Sequence, residues 1–381
     1  MATTTASSSI STGLVEVEYG ILSITNLSII NMILQERSVI KVDEGTNEGI
    51  VSISGSQFEN IQRTGDNQKG GVIEGYLGSD NGQITISSST FTDCKVDSST
   101  GCGGAIYLQI SDGGELLFDL SGVSYSGCDA KYGKSLFINA YNLRTTVPIH
   151  TDTSLTKTKI GAESDEYEKA DLNNLMGFNG AQTSLAIPLY YVYTDINLQI
   201  YHVSNSDSTP NGNNNIFCGH LQWPCLTIDY SIIRAGDSIL KKIGIVDGYK
   251  LIDLITINQD GEESQISNSL TESGTVTDIK SILNIEGDGK IQLTAGTLSF
   301  NKIIFTINEN ARSGYIISGT ATSTQISISN CLMNITTSDD STTQIGGTIE
   351  ATIGGSSGQL TIQNTNFTLC ISQQSQQAGG I

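Results

Sequence analysis

Residues 83–108 read Gln83-Ile84-Thr85-Ile86-Ser87-Ser88-Ser89-Thr90-Phe91-Thr92-Asp93-Cys94, then a polar stretch to Gly101, then Cys102-Gly103-Gly104-Ala105-Ile106-Tyr107-Leu108. Apolar and polar residues alternate from Gln83 to Ser87. In a strand every second side chain shares a face, so this pattern buries Ile84 and Ile86 together. Ile and Val, stiff at the first side-chain torsion, suit a pleated surface. The same alternation recurs at Ile50-Val51-Ser52-Ile53-Ser54 and Gln325-Ile326-Ser327-Ile328-Ser329. Clusters of Gly, Asn, Asp and Ser separate the runs, which is turn chemistry. The chain therefore reads as all-β.

Working outward, the quoted stretch repeats. Phe58, Phe91 and Tyr125 are 33 and 34 positions apart, and Gly70-Gly71 and Gly103-Gly104 are 33 apart. Each Gly pair opens an apolar strand. A longer repeat lies over this one at an offset of 276, pairing Gly20 with Gly296, Ile73-Glu74 with Ile349-Glu350, Gly82-Gln83 with Gly358-Gln359, and Phe91 with Phe367. It also pairs Gly70-Gly71 with Gly346-Gly347, Cys94 with Cys370, and Gly103-Gly104 with Gly379-Gly380, with a small slip around residues 50–65. A short strand-rich unit cannot bury its own apolar face, whereas stacked copies form continuous internal ladders. Each buried Ile contributes roughly 1.5–3 kcal/mol. The architecture predicted from these parts is a right-handed parallel β-helix, a solenoid with one coil per repeat. A β-sandwich explains the alternation but not the register of aromatics and Gly pairs.

Gly103-Gly104-Ala105-Ile106, with Gly70-Gly71-Val72-Ile73 and Gly346-Gly347-Thr348-Ile349, resembles the GGAI repeat of polymorphic outer-membrane proteins, which are β-helical surface adhesins. A second stretch runs from Tyr201-His202-Val203-Ser204 through Cys218-Gly219, Pro224-Cys225-Leu226-Thr227-Ile228, Ala235-Gly236-Asp237-Ser238-Ile239 and Gly248-Tyr249. It is similar to the opening of pectate-lyase-like β-helix proteins, where a Pro-x-x-Thr-Ile turn leads into a short helix capping the first coil. The Cys pair and the GGAI-type coils also resemble long surface-type repeat proteins of anaerobic protists. These resemblances cover residues 20–140 and 201–381. They imply residues 1–142 as the later coils of one module, 143–200 as an irregular connector, and 201–381 as a second module opening on a capping helix. From the residues themselves, a helix over 226–235 is expected to stop at Gly236. The chain is expected to be a fragment of a longer array.

Lys and Arg number 19 against 39 Asp and Glu, a net charge of −20. That balance excludes nucleic acid as a partner, because phosphate binding needs clustered Lys and Arg. No apolar run reaches the ~20 residues a membrane-spanning helix needs. Met1 to Ile10 has neither the basic nor the apolar segment of a signal peptide. Sequons at Asn26, Asn334 and Asn366 are candidate glycan acceptors in a secreted chain.

Chemistry is sparse. Asp339-Asp340 is an isolated acidic pair in a polar loop, His150, His202 and His220 are scattered, and the Arg residues (37, 63, 144, 234 and 312) are dispersed. Glu74 and Glu350 are equivalent across the long repeat and read as strand-face or corner residues. Glu286-Gly287-Asp288-Gly289 reads as a turn. No catalytic, cofactor-binding or metal-ligating residue is singled out, and no cofactor is implied. Seven Cys leave the redox compartment open. Cys94 and Cys128 occupy equivalent points of successive repeats, and strands stacked ~4.8 Å apart bring such pairs within disulfide range. Cys94–Cys102 and Cys218–Cys225 are local alternatives, and free thiols in the core are another. The functional expectation is a non-enzymatic extracellular or cell-surface structural or adhesion protein, with glycans or cell-surface proteins as partners. The alternative is a carbohydrate-active β-helix enzyme, a polysaccharide lyase or hydrolase.

Overall fold

The computed structural model describes residues 9–10, 13–42, 49–78, 82–120, 122–147, 160, 171–180, 182–193, 198–206, 211–236, 238–246, 248–268, 271, 278–307, 315–335, 348–354 and 357–368. Expectations that rest on Gly346-Gly347, Asp339-Asp340, His150, Arg312, Cys370 and Gly379-Gly380 lie outside these residues. The chain is mostly β and divides into two compact units, Met1–Asp195 and Ile196–Ile381.

In the first unit the strands form three sheets, and the chain visits them in a fixed rotation. One sheet contains Gly20–Thr25, Gly49–Ser54, Gln83–Ser87 and Phe118–Asp119. The next holds Ser9–Ile10, Ser28–Leu34, Gln57–Arg63, Ser89–Thr92 and Val123–Ser126. The third runs from Val15–Val17 through Ile40–Val42, Ile73–Leu77, Ile106–Ile110 and Leu136–Ala140 to Leu175–Asn179. All pairings among these strands are parallel. Gln182–Pro188 then adds to the third sheet antiparallel to Leu175–Asn179. Part of the segment expected as a connector therefore belongs to this sheet, and the division between the units falls after Asp195.

Register follows the sequence repeat. Phe58 sits opposite Phe91, and Phe91 opposite Tyr125, with ring centroids 5.0 and 5.8 Å apart. Val51 and Ile84 adjoin in one inward column, Ile53 and Ile86 in another, all four fully buried. The Gly pairs have two separate causes. Gly70 and Gly103 lie in the left-handed region, at φ +65 and +70, which glycine enters at little steric cost. Gly71 and Gly104 instead meet the next repeat's backbone. A Cβ on Gly71 would lie 2.3 Å from the Gly104 carbonyl oxygen, and one on Gly104 2.1 Å from that of Lys134.

The turn from the first sheet to the second is made each time by one left-handed residue: Asn26, Gly55, Ser88 and Gly122, at φ +55, +60, +47 and +70. Asn and Gly are the residues that adopt this conformation most readily.

The second unit carries two mainly parallel ladders. One links Tyr201–Val203, Leu240–Ile245, Leu254–Asn268 and Lys290–Asn301, then branches to Ile317–Gly319 with Ile349–Ala351 and to Gln325–Ser329 with Gln359–Gln363. The other links Tyr249–Leu251, Ser281–Ile285, Ile303–Ile307, Leu332–Ile335 and Asn366–Thr368. The 276 offset carries Gln83–Ser87 onto Gln359–Gln363 strand for strand, and the slip around residues 50–65 is one residue: Val51 corresponds to Ile326 and Phe58 to Met333. The turn residues correspond as well, since Lys302, Asn330 and Asn364 are left-handed at φ +57, +55 and +50.

The expected helix is Ile228–Arg234. Thr227 caps it by accepting a hydrogen bond from the Tyr230 amide, and Gly236 follows at φ +60. Its buried Ile228 and Ile232 join the core with Tyr201, Val203 and Ile243. Among the described residues no helix is long and apolar enough to cross a membrane.

Candidate functional site

The most chemically loaded region is the face of the third sheet of the first unit opposite Ile73, Ile106 and Leu136, where Glu74, Tyr107, Phe137 and Met176 are themselves buried. Strand alternation places Glu16, Lys41, Glu74, Tyr107, Phe137 and Met176 in one register column. Tyr76, Gln109, Asn139 and Phe178 form the column beside it.

Arg63 reaches this face from the end of strand Gln57–Arg63. Its Nη1 donates to Glu74 Oε2 at 2.7 Å and to Ser38 Oγ at 2.8 Å, and its Nη2 donates to the Glu36 carbonyl at 2.6 Å. Tyr76 donates its hydroxyl hydrogen to Glu74 Oε1 at 2.8 Å. Both charged side chains are under 10% exposed, at 7% and 9%. Both Glu74 oxygens are engaged by donors from within the chain. A buried ion pair built this way fixes which strand ends meet, while its net stabilisation is small because desolvation offsets attraction. Glu350, its counterpart in the second unit, is exposed.

Lys69 lies beside this pair, with Nζ 4.9 Å from the Tyr107 ring centroid and 5.9 Å from that of Tyr76. Burial pushes the Tyr107 hydroxyl up from its ordinary value, opposed by the Lys69 charge. Tyr107 stacks parallel on Phe137 at 6.0 Å, and Phe178 meets Phe137 edge-on at 4.7 Å. Ala186 of the antiparallel strand packs in the same cluster. At the other end of the column Glu16 pairs with Arg37 and with Lys41, the latter at 3.1 Å. Its hydrogen bond from Lys41, reinforced by Arg37, holds the carboxyl below its usual value. The arrangement is a column of paired charges, with Arg63 Nε buried and without a hydrogen-bond partner, passing into stacked rings. Sequence reasoning had the Arg residues dispersed and did not find it.

The sequence-derived candidates fall elsewhere. Asn26 is exposed at its left-handed turn, Asn366 is exposed on strand Asn366–Thr368, and Asn334 is half-buried. Thr336 of the Asn334 sequon lies outside the described residues. Cys218 and Cys225 are joined by a disulfide, with Cα atoms 4.8 Å apart. Cys94 and Cys128 are buried free thiols of successive repeats. Interaction with the Cys128 thiol, then burial, raises Cys94 well above the ordinary thiol value. Cys102 is free and half-buried. His202 is buried, its ring nitrogens 2.9 and 3.0 Å from the Gly219 and Thr271 carbonyls. Glu286 and Gly289 close a turn through a 2.9 Å backbone hydrogen bond. Among the described residues no group of three His, Cys, Asp or Glu is placed to hold a metal ion.

Compared with protein-family profiles, with curated proteins and with solved structures, the chain finds no match.

Proposed function

We propose that this chain is part of a right-handed β-helical, non-enzymatic structural or adhesion protein of the cell surface, its stacked repeats forming a scaffold that presents outward loops and side chains to glycans or surface proteins. The observation that carries the reading is the coincidence of sequence period and strand register: Phe58, Phe91 and Tyr125 are one repeat apart in the chain and adjacent in the sheet. A chain that visits three parallel sheets in rotation fits one coil per repeat. Parallel crossovers are right-handed in nearly all proteins, which sets the hand. The engagement of Glu74 by Arg63 and Tyr76 favours a structural role for the richest charge cluster over acid–base work. Exposed Asn26 and Asn366 and the Cys218–Cys225 disulfide agree with an oxidising, glycosylating compartment.

Two experiments test this. Ser52→Cys with Thr85→Cys places thiols at residues paired across successive repeats, and an intramolecular disulfide under mild oxidation supports the stacking. Saturable binding of the purified protein to immobilised glycans or intact cells, without release of unsaturated or reducing ends from acidic polysaccharides, supports adhesion. Turnover of such a polysaccharide overturns the non-enzymatic assignment.

A further inference from the structure

One inward column of the first unit changes its chemistry partway along. In each repeat a left-handed residue marks the place: Asn31, Asn60, Asp93 and Gly127, at φ +59, +50, +52 and +64. The residue after each is buried: Met32, Ile61, Cys94 and Cys128, none more than 7% exposed. Met32 lies opposite Ile61. The bridges Gln62–Lys95 and Lys95–Asp129 carry the register on, so Ile61 adjoins Cys94 and Cys94 adjoins Cys128. The column itself asks only for an apolar filler, which Met32 and Ile61 supply. Cysteine in two consecutive rungs adds what a filler does not, a pair of groups that can be joined.

The geometry suits a bond between them. Neighbouring strands stand ~4.8 Å apart, inside the Cα range that a disulfide spans. The Cys94 and Cys128 thiols are hydrogen-bonded to one another. Their side chains also leave their strands the same way. Cys94 Sγ is 3.6 Å from the Phe58 carbonyl oxygen and 3.5 Å from that of Thr92, while Cys128 Sγ is 3.6 Å from that of Phe91 and 3.8 Å from that of Ser126. The other free thiols among the described residues have no cysteine beside them in register. Cys102 stands between Lys69 and Tyr132 in a different column, and Cys331 is next to Thr365.

We propose that Cys94 and Cys128 are a bridging pair, joined in an oxidising compartment into a disulfide that ties two successive repeats together. The oxidant is a protein or small-molecule disulfide. Cys128, the less buried of the two, attacks it as a thiolate, forming a mixed disulfide and releasing one thiol. The Cys94 thiolate then displaces the second. One S–S bond breaks and one forms, and the oxidant leaves as two thiols that carry both electrons and both protons. Cys94 is fully buried, and its hydrogen bond with Cys128, then burial, holds its thiol well above the ordinary value. The thiolate is the attacking form, so the bridge closes while the repeats assemble. Stacked repeats come apart by opening one from the next, and a covalent tie between consecutive rungs stops that opening there. This inference rests on the extracellular reading above for its oxidant.

The test uses the full chain, expressed through an oxidising secretory compartment, alkylated at harvest and mapped as peptides by mass spectrometry without reduction. The expected result is a linked pair of peptides carrying Cys94 and Cys128, separated by reductant, with Cys102 and Cys331 alkylated. A second readout is mechanical. Pulled by its ends, the oxidised chain should extend about 11 nm less than the Cys94→Ala chain, because the 33 residues from Lys95 to Gly127, at ~3.3–3.6 Å each, stay inside the bridge. Recovery of Cys94 and Cys128 as alkylated thiols, or Cys94 linked to Cys102, overturns the proposal. Cys218–Cys225 separates the two failures. If that link is found and Cys94–Cys128 is not, the bridge alone is wrong; if both are absent, the oxidising compartment of the functional reading fails with it.

Discussion

The inward column through Ile29, Phe58 and Phe91 in the first unit has a counterpart in the second, Phe305, Met333 and Phe367. Phe58 and Phe91 are 0% exposed, as is Phe305, and Met333 is 1% exposed, yet Phe367 is only half-buried. Phe91 and Phe367 hold the same place in the long repeat. What separates them is the repeat that follows: Tyr125 stacks on Phe91, and among the described residues no further strand follows Asn366–Thr368. Burial here belongs to the neighbour, not to the residue, as expected of an architecture whose stability is a sum over adjacent units.

The comparison can be broken most severely at a position covered on both sides. Ile106, fully buried between Ile73 and Leu136, should not tolerate Ile106→Asp, with a loss of more than about 4 kcal/mol in urea denaturation. Near-wild-type stability would mean that the position is not interior.

Phe91→Ala should then cost about 3–5 kcal/mol, against about 1 kcal/mol for Phe367→Ala, whose side chain already meets solvent. Equal losses would show the two columns to be equally covered.

A third contrast uses the paired carboxylates. Glu74→Gln leaves the Arg63 guanidinium buried without its counter-charge and should destabilise by about 3 kcal/mol, whereas Glu350→Gln on an exposed position should stay within about 0.5 kcal/mol.

Replacing Cys218 and Cys225 together by Ser opens a short loop and should cost about 2 kcal/mol. Unchanged melting in the presence of reductant would show that the bridge contributes nothing.

The smallest effect is electrostatic. Glu16 has its folded value lowered by Lys41 and Arg37 from an ordinary value of 4.5. Its contribution is present above the unfolded value and disappears as pH falls through the lower folded one. Stability profiles of wild type and Glu16→Gln should therefore converge in acid and separate slightly toward neutral pH. Parallel profiles would remove Glu16 from the account.

Much of the parallel ladder system was legible because repetition turns a local pattern into a register. Phe58, Phe91 and Tyr125 at intervals of 33 and 34 announce which strands adjoin before any pairing is known. The helix at Ile228–Arg234 was legible for local reasons, an N-cap Thr and a terminal Gly. The charged column was not. Arg63 and Glu74 are eleven residues apart, on strands of different sheets, and nothing in their spacing says that the turn between them folds back. One clue was present: Arg63 has the same parity as Ile61 at the end of its strand, and a guanidinium on an inward parity requires a partner. The antiparallel strand Gln182–Pro188 follows a stretch of mixed charge without the repeat, so no period pointed to its place.

The one-residue slip between the two halves of the long repeat has a hereditary consequence. A single residue gained or lost inside a strand would turn every later side chain of that strand over, apolar side outward. Here the offset changes only between strands: it is 277 where Ile40 matches Ile317, 275 where Val51 and Phe58 match Ile326 and Met333, and 276 again by Ile73 and Ile349. A gene for such a protein can lengthen or shorten by whole repeats and drift by a codon or two between strands, so its natural variation should come in those two sizes.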